Sequence, residues 1–182
     1  MPSASLIKEF EQLVGKENVF SSEADRQSYA YDAAVLKPMI PSLVVRPTEV
    51  EQLGQVVKRC YEEGIPMTVR GSGTNLTGGT IPDCSDTIVI LTTGLNKILE
   101  INTEDLYATV QPGVITAKFA AAVAAKGLFY PPDPGSMSVS TIGGNVAESS
   151  GGLRGLKYGT TKDYVMGMEV FANTGDLVKT GS

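Results

Sequence analysis

The sequence has no histidine, only two cysteines (Cys60 and Cys84), and no apolar run reaching the ~18 residues a membrane-crossing helix needs. Without histidine, a Ser-His-Asp triad and a histidine-ligated metal site are excluded within the chain. The two cysteines lack metal-ligand spacing and form no disulfide framework, so they fit reduced thiols in a cytoplasmic protein. Basic charge is also short: 15 Lys and Arg stand against 20 Asp and Glu, a formal net charge of −5. That balance argues against non-specific binding to nucleic acid or to an anionic membrane. The N-terminus shows no apolar signal-peptide run. What remains is ordinary globular composition, 42% hydrophobic and 19% charged, with enough length for one domain that has a core, in two lobes.

Glycine dominates the stretch from Pro131 to Lys162, PPDPGSMSVSTIGGNVAESSGGLRGLKYGTTK, nearly half of which is glycine, serine or threonine. It has too few large apolar side chains to build a core, yet lacks the charge and repetition of a disordered linker. The pairs Gly143-Gly144 and Gly151-Gly152 permit close approach of backbone with N–H groups exposed. Two readings stay open on composition: an ordered surface loop, or a seat for a phosphate-bearing ligand. A second glycine-rich run, RGSGTNLTGGT at 70–80, follows the apolar run 65–69. A strand emptying into such a turn can cradle a pyrophosphate. It is not a Walker loop, since no Gly-Lys-Ser/Thr follows. It is not the G-x-G-x-x-G fingerprint either, because the glycine after Gly71 and Gly73 is Gly78.

Five blocks in order carry a resemblance: PSLVVRPTEVEQL (41–53), RGSGTNLTGG (70–79), PPDPGS (131–136), TIGGNVAESSGG (141–152) and LKYGTT (156–161). Together they resemble the FAD-binding (PCMH-type) domain of the vanillyl-alcohol oxidase and p-cresol methylhydroxylase flavoproteins. Within that family the chain is most similar to the branch of the FAD-linked glycolate oxidase subunit and the D-lactate and D-2-hydroxyglutarate dehydrogenases. The resemblance spans roughly residues 20–182 and corresponds to the N-terminal portion of such proteins.

The residues themselves predict an α+β fold. Leu6, Ile7, Phe10, Leu13 and Val14 repeat at helical spacing before Gly15, and 22–31 suits a second short helix, so 1–37 read as a helical lead-in. The aromatics of YAYDAA (29–34) are read as packing. Residues 38–93 form a first lobe: a strand over 42–46, a capping box from Thr48 and Glu51, and a helix facing inward through Val50, Leu53, Val57, Cys60 and Tyr61. Gly64 ends it, and a strand at 66–70 should pair in parallel with the first through a right-handed crossover. Thr87–Thr92 is a further strand. Residues 94–182 form a second, incomplete lobe of mixed and antiparallel sheet. Its expected parts are a hairpin over 98–111, a helix over 117–126 capped by Thr116, and a hairpin over 165–180.

The resemblance implies FAD held between the lobes. Backbone N–H groups of 71–75 would face the pyrophosphate, with donors from Ser72, Thr74 and Asn75, and Leu76, Gly79 and Thr80 would line the cofactor. Arg70 would either neutralise charge there or pair with a carboxylate. Pro134, Gly135 and Ser136 would pass the flavin ring. Thr141, Ile142, Gly143, Gly144 and Asn145 would approach ring and ribityl chain, although Asn145 equally suits a helix or turn cap. Gly151, Gly152, Tyr158 and Gly159 complete the set. In covalent relatives a histidine in the first loop carries the flavin; the comparable place here is Thr74, so non-covalent FAD is implied. The implied chemistry passes hydride from C2 of a 2-hydroxy acid to flavin N5, with other oxidase subunits as further partners. The family's catalytic base lies mainly in a substrate domain that these residues do not include, so no catalytic residue is named and the chain alone is expected to be inactive. Two alternatives stand beside this reading: a non-catalytic flavin-binding or assembly subunit of a multi-subunit oxidase, and a nucleotide-sugar reductase of the same fold.

Overall fold

The computed structural model describes residues 2–181; Met1 and Ser182, the outer limits of the expected lead-in and second lobe, lie outside the described residues. Three parallel strands organise the largest sheet, which lies within the expected first lobe: β2 (Leu43–Val45), β3 (Met67–Arg70) and β4 (Ile88–Leu91). A short β1 (Val19–Phe20) joins antiparallel to β2, giving the order β1-β2-β4-β3. The direct pairing expected between β2 and β3 does not occur, because β4 lies between them. The reason is in its residues. Ile88, Val89, Ile90 and Leu91 are all buried, and a strand apolar on both faces belongs at the centre of a covered sheet. β3 takes the edge, where Val69 is 56% exposed.

One face of this sheet packs Leu43, Val45, Ile88 and Ile90 against Val56, Val57 and Cys60 of α3 (Val50–Glu62) and against Leu6, Phe10 and Val14 of α1 (Ala4–Val14). Much of the expected lead-in is thus packed into the first lobe's core. The other face packs Val44, Val89 and Leu91 beneath Phe20 and Tyr29, beside α2 (Glu23–Gln27). The capping arrangement of α3 falls one residue later than expected, with Gln52 Oε1 accepting from the N–H groups of Thr48 (2.9 Å) and Glu49 (3.1 Å). Tyr61 is exposed, not inward. The inner face runs instead through Leu53, Val56, Val57 and Cys60, and Gly54 leaves room for the Phe171 ring, which a Cβ there would meet at 2.6 Å.

The chain changes character at the 3₁₀ turn Thr92–Gly94. The hairpin β5 (Ile98–Asn102) and β6 (Tyr107–Val110) covers α4 (Thr116–Ala124) through a core of Val114, Phe119, Val123 and Ile142 with Ile98, Ile101, Ala108 and Val110. Thr116 does not cap α4. Ile115 is the boundary residue, and the Thr116 side chain is turned into the interior. The glycine-rich stretch is more helical than a loop, containing α5 (Ile142–Glu148), α6 (Gly155–Tyr158) and a 3₁₀ turn over Thr161–Tyr164. The last hairpin, β7 (Gly167–Phe171) with β8 (Leu177–Gly181), forms a separate two-stranded sheet and touches α3 through Phe171. The molecule is α+β, as the sequence predicts.

Candidate cofactor site

The run after β3 turns sharply at Gly73 (φ +70°), where a side chain would collide with the Arg70 guanidinium folded beneath it. Among the described residues, none accepts a hydrogen bond from the backbone N–H groups of Ser72, Gly73, Thr74, Asn75 or Leu76. Five successive free donors with no acidic side chain among them suit an anion. Three of the polar side chains are committed elsewhere, while the Thr74 hydroxyl has no partner among the described residues. Asn75 Nδ2 donates to Asp32 Oδ2 at 2.7 Å, Ser72 Oγ donates to the Val139 carbonyl, and the single Thr80 hydroxyl proton is shared between Asn75 Oδ1 at 3.1 Å and Asp32 Oδ2 at 3.3 Å. Leu76, 78% exposed, projects outward. The loop therefore offers backbone and the Thr74 hydroxyl to a ligand, while Ser72, Asn75 and Thr80 hold its shape.

Arg70 does not project toward the loop's open side. Its Nη1 donates to the Tyr31 carbonyl at 2.7 Å and to Thr80 Oγ1 at 3.3 Å, and its guanidinium lies 5.7 Å from the Tyr29 ring centroid. Burial lowers its pKa from the ordinary arginine value, opposed by the nearby Asp32 charge. Its hydrogen-bond partners are thus a backbone carbonyl and a hydroxyl, and among the described residues no carboxylate is in ion-pair contact with it.

The second glycine-rich segment is seated on the first. A Cβ on Gly71 would strike Thr141 Oγ1, and Thr77 Oγ1 donates to Glu148 Oε1 at 2.8 Å. Thr141 caps α5 by accepting from the Gly144 N–H at 3.3 Å. Behind it, Thr116 Oγ1 accepts from Asn145 Nδ2 at 2.7 Å and is 3.0 Å from the Ser140 carbonyl, to which it donates. Asn145 is 1% exposed, so its amide braces α5 against α4 and neither caps nor faces outward. Ile142 and Gly143 donate to the carbonyls of Val114 and Pro112, each at 2.8 Å.

The glycines separate into two kinds. Gly143 packs on Pro112, where a Cβ would lie 2.6 Å from the Pro112 Cβ. Gly152 is pressed against the Asp133 carbonyl, Gly151 faces the Thr160 methyl, and Gly159 (φ +82°) lies against Asp163. These serve chain-on-chain contacts. Gly144 and Gly135 are open: a Cβ on the first meets only Thr141 Oγ1 at 3.2 Å, and on the second nothing within 4 Å. The N–H groups of Gly151 and Gly152 have no acceptor among the described residues. Pro134 and Ser136 shape the turn before α5 by accepting from Met137 and from Val139 and Ser140. Tyr158 stands at the rim, its ring 5.7 Å from that of Phe129 and its carbonyl accepting from Tyr164 Oη at 2.6 Å.

The tertiary structure adds Asp32, Thr77, Glu148, Ser140 and Thr116 to the residues that sequence singled out. Asp32 had a signal in the sequence: it is the one charged residue in the aromatic and alanine run 29–34. The others bond partners 24 to 71 residues away and carried none. Among the described residues no three His, Cys, Asp or Glu side chains group to hold a metal ion, and no helix is long and apolar enough to cross a membrane.

Free donors in 72–76, unpartnered N–H groups at 151–152 and the open backbone of Gly135 and Gly144 fit a ligand with an anionic pyrophosphate and a flat ring. The comparisons agree. Residues 41–181 match the family model described as FAD binding domain. The chain is 51% identical over 170 residues to the glycolate oxidase subunit GlcD of Bacillus subtilis, covering 93% of this chain and 36% of that protein. It is 36% identical over 177 residues to a D-lactate dehydrogenase of Anaerostipes hadrus, covering 97% and 37%. Among solved structures, p-cresol methylhydroxylase superposes with a TM-score of 0.84 at 27% identity, over 97% of this chain and 35% of that one. An alkyldihydroxyacetonephosphate synthase superposes with a TM-score of 0.90 at 20% identity, over 99% of this chain and 35% of that one, which shows the shared fold. The chain spans little more than a third of the curated relatives it matches. It belongs to the FAD binding domain family, with FAD as its cofactor.

Proposed function

We propose that the chain is the FAD-binding portion of a flavin-dependent 2-hydroxy-acid oxidoreductase, holding FAD non-covalently between lobes divided near residues 93 and 94. The observation that carries the proposal is the row of unpartnered N–H groups at 72–76, set beside a glycine-rich helix start that it touches through Thr141. In this reading the 72–76 backbone binds the pyrophosphate. The open face at Gly135 and Gly144 admits the flat ring, with Gly151, Gly152 and Tyr158 at its border. Arg70, Asn75, Thr80 and Asn145 hold these segments in place. FAD, when bound, supplies the two-electron acceptor for the oxidation. The relatives named as glycolate oxidase subunit and D-lactate dehydrogenase support a small 2-hydroxy acid as substrate, and the word subunit in the first supports further protein partners.

The test uses the product of the whole reading frame, purified with its flavin. Anaerobic mixing with glycolate, D-lactate or D-2-hydroxyglutarate should bleach the flavin absorption with one of the three. Absence of bleaching with all of them, in a protein that carries FAD, refutes the 2-hydroxy-acid assignment.

A further inference from the structure

Asp32 is 9% exposed, and it accepts from two N–H donors, with the Thr80 hydroxyl also in reach. Its Oδ1 accepts from the Ala34 N–H at 2.8 Å. Its Oδ2 accepts from Asn75 Nδ2 at 2.7 Å and lies 3.3 Å from Thr80 Oγ1. Thr80 Oγ1 in turn accepts from Arg70 Nη1, whose guanidinium fills the space under Gly73. A carboxylate suits such a site because it only accepts. An amide of the same shape would have to aim an NH₂ group at another donor. Asn75 and Thr80 bracket the free donors of 72–76 and their exit, and both reach back more than 40 residues to the same oxygen.

We propose that Asp32 is the positioning residue of the cofactor loop: its carboxylate, clamping Asn75 and Thr80 together above the Arg70 guanidinium, sets the curvature that turns the 72–76 N–H groups toward one anion. The inference rests on the reading that this loop receives the FAD pyrophosphate. Asp32 touches no cofactor atom in this scheme and acts through the loop. Donors left mispointed cannot all reach one pyrophosphate, and binding through preorganised backbone is lost when the geometry relaxes.

The test compares FAD dissociation constants, by quenching of flavin fluorescence, for the wild-type chain, Asp32→Asn, Asp32→Ser and the swap Asp32→Asn/Asn75→Asp, with melting of each cofactor-free protein recorded alongside. Asp32→Asn should weaken FAD binding at least tenfold under conditions where it is folded. The saturated variant should keep the wild-type flavin absorption spectrum, since the ring is held elsewhere. The swap restores a donor facing an acceptor and should bind at least threefold more tightly than Asp32→Asn alone. A residue that served stability only would lower the melting temperature and leave the dissociation constant of the folded protein unchanged. If Asp32→Asn does not fold, Asp32→Ser carries the same expectation, because a serine hydroxyl keeps an acceptor for Ala34 without reaching Asn75. Failure of the wild type to take up FAD removes the cofactor reading itself. Wild-type binding with less than a threefold loss in the folded variants, or a loss the swap does not relieve, overturns the positioning role alone. So does failure of both single variants to fold at any temperature.

Discussion

Glycine at 144 and glycine at 143 are adjacent in sequence and opposite in use. The chain leaves room for a side chain at Gly144 but not at Gly143, where Pro112 is already in place. Gly144→Val should therefore weaken FAD binding more than tenfold, about 1.4 kcal/mol or more. Gly155→Val, at a position with nothing within 4 Å, should change it little. Equal dissociation constants in fluorescence titrations of the two folded variants would falsify this placement of the ring. Gly143→Ala should instead destabilise the cofactor-free chain by about 1–3 kcal/mol, read as a lower urea midpoint. The cysteines divide in the same way. Burial pushes the Cys60 thiol from its ordinary value of 9.0 up to about 12, with Arg59 opposing weakly. Cys84 is exposed, and hydrogen bonding from Thr87, then from the Asp86 backbone, lowers its pKa. At pH 8 a thiol reagent should modify one cysteine of the native chain quickly and the second only after denaturation. The proton held by Cys60 in the fold is released by the unfolded chain near its ordinary pKa. This contribution to stability is complete below that value and is lost as pH rises from about 9 toward about 12.

At the scale of elements, α4 and α5 are too short to be stable alone and depend on what they pack against. Their junction is a buried hydroxyl and amide, with Thr116 between Ser140 and Asn145. Thr116→Val keeps the volume and removes the hydroxyl, leaving the Asn145 amide without its acceptor, while the Ser140 carbonyl keeps only the Thr116 N–H at 2.9 Å. The expected loss is about 1–3 kcal/mol in denaturant unfolding. Since α5 carries Gly144, a weaker affinity for FAD should accompany that loss. Unchanged stability in Thr116→Val would show that solvent or a rearranged partner replaces the hydroxyl and that the junction is not what fixes α5.

For the whole molecule, the two glycine-rich segments are stitched edge to edge by Ser72 with Val139, Gly71 with Thr141, and Thr77 with Glu148. On the proposed reading a cofactor laid across them is held by shape and hydrogen bonds, since the chain has no histidine for a histidyl link. Acid precipitation of the reconstituted 182-residue chain should release all the yellow colour into the supernatant. Flavin remaining in the pellet contradicts non-covalent binding. The same reconstituted chain should not be bleached by glycolate, D-lactate or D-2-hydroxyglutarate at an enzyme-like rate. Oxidising an alcohol needs a positioned base, and the one carboxylate bridging the segments, Glu148, already accepts from Thr77. Rapid bleaching would place a complete active site within these residues.

Much of the secondary structure was legible from residue order alone. The β-branched runs became β2, β3 and β4, the spaced Leu6, Phe10 and Val14 became α1, and the turns at 103–105 and 173–176 became hairpins. These features depend on neighbours within a turn or two, which sequence displays directly. The two glycine-rich segments were also visible, because unusual backbone requires an unusual residue. What the tertiary structure decided is everything set by distant partners. β4 entered between β2 and β3 because its residues are apolar on both sides, whereas β3 carries Thr68 and Arg70 and leaves Val69 exposed at the edge. Helical structure inside the glycine tract was hidden by glycine's poor helix propensity and comes from the Thr141 cap and the Pro112 and Val114 carbonyls. Tertiary contacts also sorted the glycines into open and packed, turned Arg70 inward onto Tyr31, and gave Asp32 its bond to a loop 43 residues away. Local sequence fixes which conformations a segment can adopt; the direction in which a polar side chain turns is settled by the donor or acceptor that the fold brings to it.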